Sequence, residues 1–497
     1  MATTRPTYKD LGLCLLQKRG TKAKVAQYTG PWGEIVIDDE CNVAVQNGTT
    51  AGGVELAKKS DIVASGFSVN DSVIYVNAGT AGDDSNDGSE AHPVKTLAQA
   101  IKLSNAAAGT HKIYVAAGTY AALTVHNGEY AIYCQGNITL ASIDVQNSSV
   151  IFHKSATSSD DLTITVSGTG SSVTFYRAGS GELRAGLVLD ASNSAFRVSF
   201  GGDFINHGTV KCDQMHLSRG GGYTDAPTTS SETPKTIVQA SSATGVANTY
   251  SGSIFVSNGG LLYVQGHTFN ADYVYVRRAS SALLTAGSMT FKQIYSVDAS
   301  SVKIGGDNPT AQRKCDCTLR YMVANRGGSI LVTATAASGT VAAAPTTLTF
   351  DKDTNGDMMY AGDSGTIEID GVGSANSSLV TLVFKSGGTD VDHAIYAAIN
   401  GNIYIHAYVT VKISGPYSSP VVSSLMNSSI YIINCTFPAD DNQVSQGVNS
   451  SGAAAGGQAY EIDYNSLIRF RNNSGTLPGA AGTTPIVGTN GSNYYGA

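Results

Sequence analysis

Charged residues are scarce in this chain of 497 residues. Asp, Glu, Lys and Arg make up 14% of it, whereas they make up roughly 25% of an average globular protein. Their place is taken by 56 glycines and by many Ser, Thr, Ala and Asn residues. This balance favours a β-rich protein with many turns over a helical one. A disordered chain is excluded, because 42% of the residues are apolar.

Basic blocks and long apolar runs are also absent. The net charge is −7, and no cluster of Lys and Arg offers a nucleic acid the surface it needs, so we expect no nucleic-acid partner. The apolar run at residues 11–16 is too short for the core of a signal peptide, and no stretch approaches a transmembrane length. We therefore expect synthesis in the cytoplasm without a signal peptide and no insertion into a membrane. A protein released by cell lysis would have the same features.

The cysteines follow neither a disulfide pattern nor a metal pattern. Their number is odd, and only Cys315 and Cys317 lie close together. One C-x-C pair without a second pair or a nearby His is weak evidence for zinc. We expect buried, neutral thiols instead. The cysteines are Cys14, Cys41, Cys134, Cys212, Cys315, Cys317 and Cys435.

Residues 72–120 are organised differently from the rest of the chain. They contain two short β-type runs, Val73–Val76 and 113–116, separated by a turn-rich cluster at 82–88. Thr96 followed by Gln99 matches a capping box at the start of an amphipathic helix. Because no later segment has a helical pattern, this helix is predicted to cap the open end of a stacked β-array.

Three motifs in this segment carry a family resemblance. They are D-x-N-D-G at residues 84–88, K-T-L-x-x-A-I at 95–101 and I-Y-V-x-x-G-T-Y at 113–120. Together they resemble the entry segment of right-handed parallel β-helix proteins, a group that includes polysaccharide lyases and bacteriophage tail spikes and fibres. The resemblance implies the fold of the first coil and no particular chemistry.

Residues 121–473 repeat a loose pattern in which a turn of Asn, Ser or Gly precedes a short alternating run. Alternation places one row of side chains inward on each run. The intervals fit one or two coils of roughly 20–30 residues, which gives on the order of 15 coils and a stack of roughly 70 Å. A doubly wound α/β fold is excluded because no helices separate the runs, while an antiparallel sandwich stays open for parts of the segment. The runs are 150–153, 195–200, 261–265, 330–335, 403–413, 430–433 and 467–471.

Residues 1–60 are predicted to form a separate small β domain. Runs at 34–37 and 42–45 flank a turn, as in a β-hairpin. The motifs Y-T-G-x-x-G-E-I-V-x-D and V-Q-N-G-T-T-A-G-G resemble the N-terminal domain of phage major tropism determinants and tail fibres. In those proteins this domain is the virion-attached end of a trimeric fibre. Residues 61–71 are predicted to be a linker, and residues 474–497 a Gly- and Pro-rich tail.

One acidic loop matches the first half of a calcium-binding loop. Oxygen ligands at alternate positions, with Gly356 at the bend, suit a hard cation. However, Gly362 stands where the closing acid belongs, so an ordinary acidic turn between coils is the alternative. The candidate ligands for Ca²⁺, the one cofactor hypothesis, are Asp351, Asp353, Asn355 and Asp357.

Two pairs of acids are the weak candidates for catalysis. Residues i and i+2 of a strand lie roughly 6.5–7 Å apart, within the span used by two-carboxylate glycoside hydrolases. Acidic residues are also common on the outward face of strands because that face is exposed to solvent, so these pairs need no catalytic role. The sequence therefore favours a protein that is not an enzyme. A lyase base among Arg277, Arg278, Lys303 and Lys385 has no acidic partners that the sequence identifies. The acid pairs are Glu368 with Asp370, and Asp390 with Asp392.

Two runs present aromatic side chains outward. Their apolar positions, which are predicted to face inward, include Val274, Val276, Ile403, Ile405 and Val409. Outward tyrosines suit either sugar stacking or a subunit interface, and both remain open. A single Trp in the chain argues against a Trp-lined carbohydrate groove. The candidate contact residues are Tyr273, Tyr275, Arg277, Tyr404, His406, Tyr408 and Tyr431.

The predicted fold class is all-β: a small N-terminal β domain followed by a single-stranded right-handed parallel β-helix with a short capping helix. The resemblances imply a virion protein, a phage tail fibre or tail spike that binds the host surface. They also imply a homotrimer that joins other virion proteins through its N-terminal domain. The expected receptor is a surface polysaccharide or protein. A polysaccharide depolymerase on the same scaffold and a passive tail or capsid decoration fibre are the alternatives, since fold alone does not fix function.

Overall fold

The computed structural model describes most of the chain, which divides into two compact units with a boundary after Ser72. The first unit is described over residues 18–55 and the second over residues 73–495, each with gaps. The described residues are 18–38, 43–55, 73–106, 111–157, 159–225, 227, 233–239, 252–266, 268–306, 314–337, 343–352, 356–372, 378–387, 391–415, 417, 420–438, 460–462, 465–475 and 493–495.

The first unit is a four-stranded sheet with one short helix, Lys22–Gln27. Ile35–Asp38 and Val43–Val45 pair antiparallel, which confirms the predicted hairpin. The Tyr28 hydroxyl donates a hydrogen bond of 2.8 Å to Glu34 Oε2. This bond links the residue that follows the helix to the residue that precedes the first strand of the hairpin. The four strands, in sheet order, are Lys18–Gly20, Ile35–Asp38, Val43–Val45 and Val54–Glu55.

The second unit contains a parallel sheet of 16 strands, to which each coil contributes one strand. Successive strands of a parallel sheet must be joined by long crossover connections. In this unit those connections contain the strands of the other sheet. In chain order the strands are Val73–Val76, His111–Val115, Glu129–Cys134, Ser149–Lys154, Ser180–Leu183, Asp203–Asn206, Gly222–Asp225, Leu261–Val264, Ser281–Leu284, Ser301–Ile304, Ser329–Val332, Thr366–Asp370, Asn402–His406, Ser429–Ile433, Leu467–Arg471 and Asn493–Tyr495.

The other sheet has 23 strands, also paired in parallel, and closes the coils. The second unit is therefore a parallel β-helix, as predicted, and the antiparallel sandwich is wrong for these two sheets. The strands are Gly118–Tyr120, Leu123–His126, Ile138–Leu140, Ile143–Gln146, Leu162–Val166, Ser172–Tyr176, Leu187–Ser199, Thr209–Ser218, Lys235–Val238, Ser253–Ser257, Thr268–Arg277, Ser288–Val297, Cys315–Leu319, Tyr321–Asn325, Thr346–Lys352, Met359–Ala361, Val380–Ser386, Ile395–Ala397, Thr410–Ser414, Val422–Ser424, Thr436–Phe437, Tyr460–Ile462 and Ser474–Gly475.

Alternating apolar residues fill the space between the two sheets. Ile403 and Ile405, predicted to point inward, are fully buried, as are Val409, Val274 and Val276. These predictions are confirmed. Equivalent positions of successive coils stack on one another, so the core is a set of continuous apolar columns, and burial of these columns is the main stabilising term.

The entry segment is held by the polar loop of its first motif. Asp84 accepts hydrogen bonds from the backbone N–H groups of Lys95 and Thr96 and from the Thr96 hydroxyl. Thr96 Oγ1 in turn accepts the backbone N–H of Gln99 at 3.2 Å, as the capping box predicts. The helix, Leu97–Asn105, buries its apolar face on the first coils. Within the described part of the chain, neither helix has the length and apolar character needed to cross a bilayer.

Each coil passes from the larger to the smaller sheet through a tight corner, and the corner residues form a line along the stack. The first residue of most corners has a left-handed backbone conformation, and the third is small. At Gly328 a Cβ atom would lie 2.0 Å from the Ser296 carbonyl oxygen of the preceding coil, so the close approach of these two coils depends on a glycine at this position. We call the first residues of ten consecutive corners the corner ladder: Arg177, Phe200, Arg219, Asn258, Arg278, Asp298, Arg326, Asp363, Ile399 and Met426.

The run predicted over residues 403–413 is corrected. It consists of two strands in different sheets, Asn402–His406 and Thr410–Ser414. Ala407 and Tyr408, with φ of 61° and 69°, form the corner between them. Tyr408 therefore does not share an outward row with Tyr404 and His406.

The described cysteines are buried and free, which confirms the prediction for them. Burial raises the pKa of the Cys134 thiol to about 12. Cys14 and Cys41 lie outside the described residues. Cys315 and Cys317 lie on the same strand and both face the core of the β-helix, where an apolar environment keeps the thiols neutral.

Candidate functional site

An aromatic row lies on the outward face of the larger sheet. His216, Phe255, Tyr275 and Tyr295 occupy one register position on consecutive coils. Their ring centroids are 5.1, 5.3 and 4.8 Å apart, and their planes are nearly parallel. We call these four residues the aromatic row. All four are half-buried, because each ring covers its neighbours.

Two further sequence candidates lie beside this row. Tyr273 stacks against Tyr275 at 6.0 Å, and the Arg277 guanidinium lies 5.8 Å from the Phe255 ring centroid. The pKa values of two members of the aromatic row reflect their burial. Burial, reinforced by Arg197 and Arg277, lowers the pKa of His216 to about 4. Burial also raises the pKa of Tyr295 to about 12. At neutral pH the row is thus an uncharged aromatic surface.

A groove of about 440 Å³ runs beside this face. Asn270, Thr290 and Thr318 lie in register along one wall. Lys292 Nζ and Asp272 Oδ2 form an ion pair at 2.9 Å, and the Lys292 ammonium also lies 6.0 Å from the Tyr273 ring. Amides, hydroxyls and paired charges beside aromatic rings are the groups that bind sugar hydroxyls. Arg320 and the predicted calcium ligand Asp351 also line the groove.

A second aromatic pair lies on the outward face of the smaller sheet. Tyr404 and Tyr431 stack at 5.1 Å with an angle of 6° between their planes. His406 Nε2 and Glu368 Oε1 are 3.0 Å apart on the neighbouring strands. The structure therefore brings together Tyr404, Tyr431, His406 and Glu368 across three coils.

The catalytic role of the acid pairs stays a prediction, and the structure describes three of the four residues. The side chain of Glu368 is 47% exposed and contacts His406, whereas a general acid is typically held in a buried, apolar setting. Asp370 accepts the backbone N–H of Val372 at 3.0 Å. The backbone N–H of Asp392 donates to Gly356, and Asp390 lies outside the described residues.

A cluster that the sequence did not reveal surrounds Asp357. Its Oδ1 lies 2.6 Å from His393 Nδ1, and the His393 ring stacks on Tyr396 at 4.7 Å. Lys352 donates to the Asp357 carbonyl at 2.7 Å and lies over the Tyr321 ring. Burial lowers the pKa of Lys352 and raises that of Tyr321.

The calcium hypothesis stays a prediction. Asp353 and Asn355 lie outside the described residues, and Asp357 already contacts His393. Among the described residues, no three His, Cys, Asp or Glu side chains converge in a way that could hold a metal ion.

These surfaces share one arrangement along the stack. Rings, amides and hydroxyls recur on consecutive coils, which suits an extended ligand that contacts several coils at once. The Asp357 cluster would have been visible in the sequence only if the coil length were known, because Asp357 and His393 are 36 residues apart in the chain.

Comparison with known proteins adds one finding. A family model described as "Protein of unknown function (DUF1565)" matches residues 80–183. The match covers the capping helix and the first coils, and it lies outside the aromatic row and the Asp357 cluster. No curated protein and no solved structure is significantly similar to the chain.

Proposed function

We propose that this chain is an attachment protein of a bacteriophage virion, a tail fibre or spike that binds the host surface. The observation that carries the proposal is the stacking of half-exposed aromatic side chains on consecutive coils. Tyr404 with Tyr431 on one sheet, and the aromatic row on the other, supply rigid contact area at low entropic cost.

The virion role rests on the resemblance of the N-terminal unit to fibre anchoring domains. In the proposed protein, that unit joins other virion proteins and the β-helix presents its outward faces to the host. Three identical chains would give each weak contact the benefit of avidity. The receptor is then a surface polysaccharide or protein that meets several coils at once.

Replacing Tyr404 and Tyr431 together with Ala is expected to weaken attachment to host cells by roughly tenfold or more, as for aromatic hot spots. Both side chains point outward, so the melting temperature should change little. A cell-binding assay and size-exclusion chromatography measure attachment and assembly.

The matched control is the double variant Tyr263→Ala, Leu283→Ala. These two residues are half-buried register partners on adjacent strands of the same sheet, and they do not form a stacked aromatic pair with each other, so the variant should leave attachment unchanged. If the Tyr404 and Tyr431 variant loses its oligomeric state, the pair is a subunit contact and its receptor role is wrong. If attachment is normal in both double variants, the pair has no role in adhesion.

A depolymerase on the same scaffold is the competing function, and the Asp357–His393 pair beside Lys352 is the observation in its favour. We expect no release of reducing ends when the protein is incubated with host polysaccharide. Release that disappears in His393→Gln, Glu368→Gln or Asp392→Asn variants would establish the enzyme instead. Normal attachment by every outward variant, with no release, would favour a passive decoration fibre.

A further inference from the structure

Arginine occupies the first, third, fifth and seventh positions of the corner ladder. Arg177, Arg219 and Arg278 are separated by Phe200 and Asn258, and all five side chains are exposed. The residues just before these corners are register partners on consecutive coils. Since adjacent strands are about 4.8 Å apart, the arginines recur about every 9.6 Å along one edge of the β-helix.

The arginines start from a fixed backbone geometry. Arg177, Arg219 and Arg278 have φ of 52°, 52° and 57°, so each side chain leaves its corner in the same way. The next arginine of the ladder, Arg326, is different because its Nε lies 2.9 Å from Asp298 Oδ1. This ion pair neutralises the charge of Arg326, so the cationic part of the corner ladder ends at Arg278.

An exposed phenylalanine stands between the first two arginines. Phe200 is 50% exposed, and the edge of its ring meets the Tyr176 ring, with 6.5 Å between the centroids. The Arg219 guanidinium lies 4.5 Å from its ring centroid, while Arg177 lies 5.3 Å from the neighbouring Tyr176 ring. Cation–π contacts of this kind hold the rings and the guanidinium groups in a shared surface.

A groove of about 360 Å³ continues this edge toward the capping helix. Arg177 lines it together with amide side chains, and Asn147 donates to Asn127 across adjacent corners. Amides in a concave surface provide both donors and acceptors for hydroxyl groups. The lining residues are His126, Asn127, Gln146, Asn147 and Arg177.

We propose that this edge binds a linear acidic polysaccharide that runs along the coils. We call the edge the arginine strip; it comprises Arg177, Phe200, Arg219, Asn258 and Arg278. The inference rests on the proposed attachment function and names its ligand class. The interval of about 9.6 Å is close to the length of an extended disaccharide. In a polymer with an acid group on every second sugar, each acid group would therefore lie beside one arginine.

The chemistry of the strip fits a carboxylate or sulfate polymer. A guanidinium binds such groups with two parallel hydrogen bonds, and Phe200 offers a ring for the sugar between two acid groups. The phosphates of one strand of a DNA duplex recur roughly every 3.4 Å along its axis, which is much shorter than the arginine interval. A net charge of −7 repels polyanions from the rest of the chain and confines binding to this edge.

The test measures binding of the full chain to defined polymers. Hyaluronan carries one carboxylate on every second sugar, and dextran is its neutral counterpart. We expect hyaluronan to bind, dextran not to bind, and affinity to fall as salt is raised. The triple variant Arg177→Gln, Arg219→Gln, Arg278→Gln should bind hyaluronan on the order of tenfold to a hundredfold more weakly. Phe200→Ala should weaken binding without changing its salt dependence.

The matched control removes the same charge elsewhere. Lys24→Gln, Lys102→Gln, Arg471→Gln replaces three exposed cations outside the strip and should bind hyaluronan like the parent. Equal loss in both triple variants would mean that net charge alone matters, which overturns the proposal. Absence of hyaluronan binding, or preference for single-stranded DNA, also overturns it.

The two proposals fail separately. Binding to hyaluronan requires no host cell, so a parent protein that binds it through the strip but does not attach to host cells contradicts only the attachment function. A parent that attaches to cells equally well with and without the strip arginines, and binds no acidic polymer, contradicts only the ligand class.

Discussion

Replacing Ile405 with Asp is expected to unfold the coils around it. Ile405 is fully buried, between Ile369 and Ile432 on the adjacent strands. A carboxylate at this position would lie in the apolar column without a partner, and uncompensated buried charges cost about 3–5 kcal/mol. That is a large part of a typical unfolding free energy of about 5–15 kcal/mol. Urea unfolding followed by circular dichroism measures the loss.

The control for this variant is Asn402→Asp on the same strand. Asn402 faces outward, so the same charge remains hydrated there and the unfolding free energy should change by less than about 0.5 kcal/mol. If Ile405→Asp unfolds at the same urea concentration as the parent, the inward assignment of this strand is wrong.

The stability of the β-helix is expected to fall between about pH 4 and pH 7 because of one buried acid. Asp225 is fully buried and accepts a hydrogen bond of 2.6 Å from the Thr236 hydroxyl. Burial outweighs the bonds from Thr236 and Asn206 and raises the pKa of Asp225 to about 7. The unfolded chain has a pKa of about 3.9 at this residue. The folded state therefore binds the proton more tightly, and its stability is greatest below the unfolded pKa and is lost as the pH rises through the folded one.

The expected size of this effect is on the order of 4 kcal/mol, since each pKa unit corresponds to about 1.36 kcal/mol. Asp225→Asn removes the titration and should flatten the pH profile, so that the variant exceeds the parent in stability at pH 8. Asp298→Asn serves as the control because Asp298 is only partly buried, at a corner where it pairs with Arg326. An unchanged slope in Asp225→Asn would assign the pH dependence to other groups.

Much of the fold could be predicted because its signals are local. Val73–Val76 is bounded as expected, and the cap at Thr96 forms from residues within a few positions of one another. Alternation also placed Ile405 and Val274 in the core. The corner at Ala407 and Tyr408 was missed because neither residue is a usual turn former, and the alternation of apolar residues continues across it.

The candidate sites could be predicted only in part, because they depend on coil lengths. Tyr404 and Tyr431 were recognisable as outward tyrosines, but their stacking follows from strand register. The Asp357–His393 pair and the arginine strip join residues separated by unequal stretches of sequence. The linear sequence contains no basic block, yet the fold assembles arginines along one edge.

The corner ladder has a consequence for how such a protein changes length. Each coil contacts chiefly the coils before and after it, so a whole coil can be inserted or removed while every corner keeps a partner. A partial coil would break the ladder and the apolar columns together. The arginine strip repeats every two coils. One extra coil within it would therefore shift the later arginines by half of their interval, and they would no longer match the acid groups of the polymer. Two extra coils would restore the match. The scaffold can therefore lengthen in steps of one coil, whereas the strip can lengthen only in steps of two.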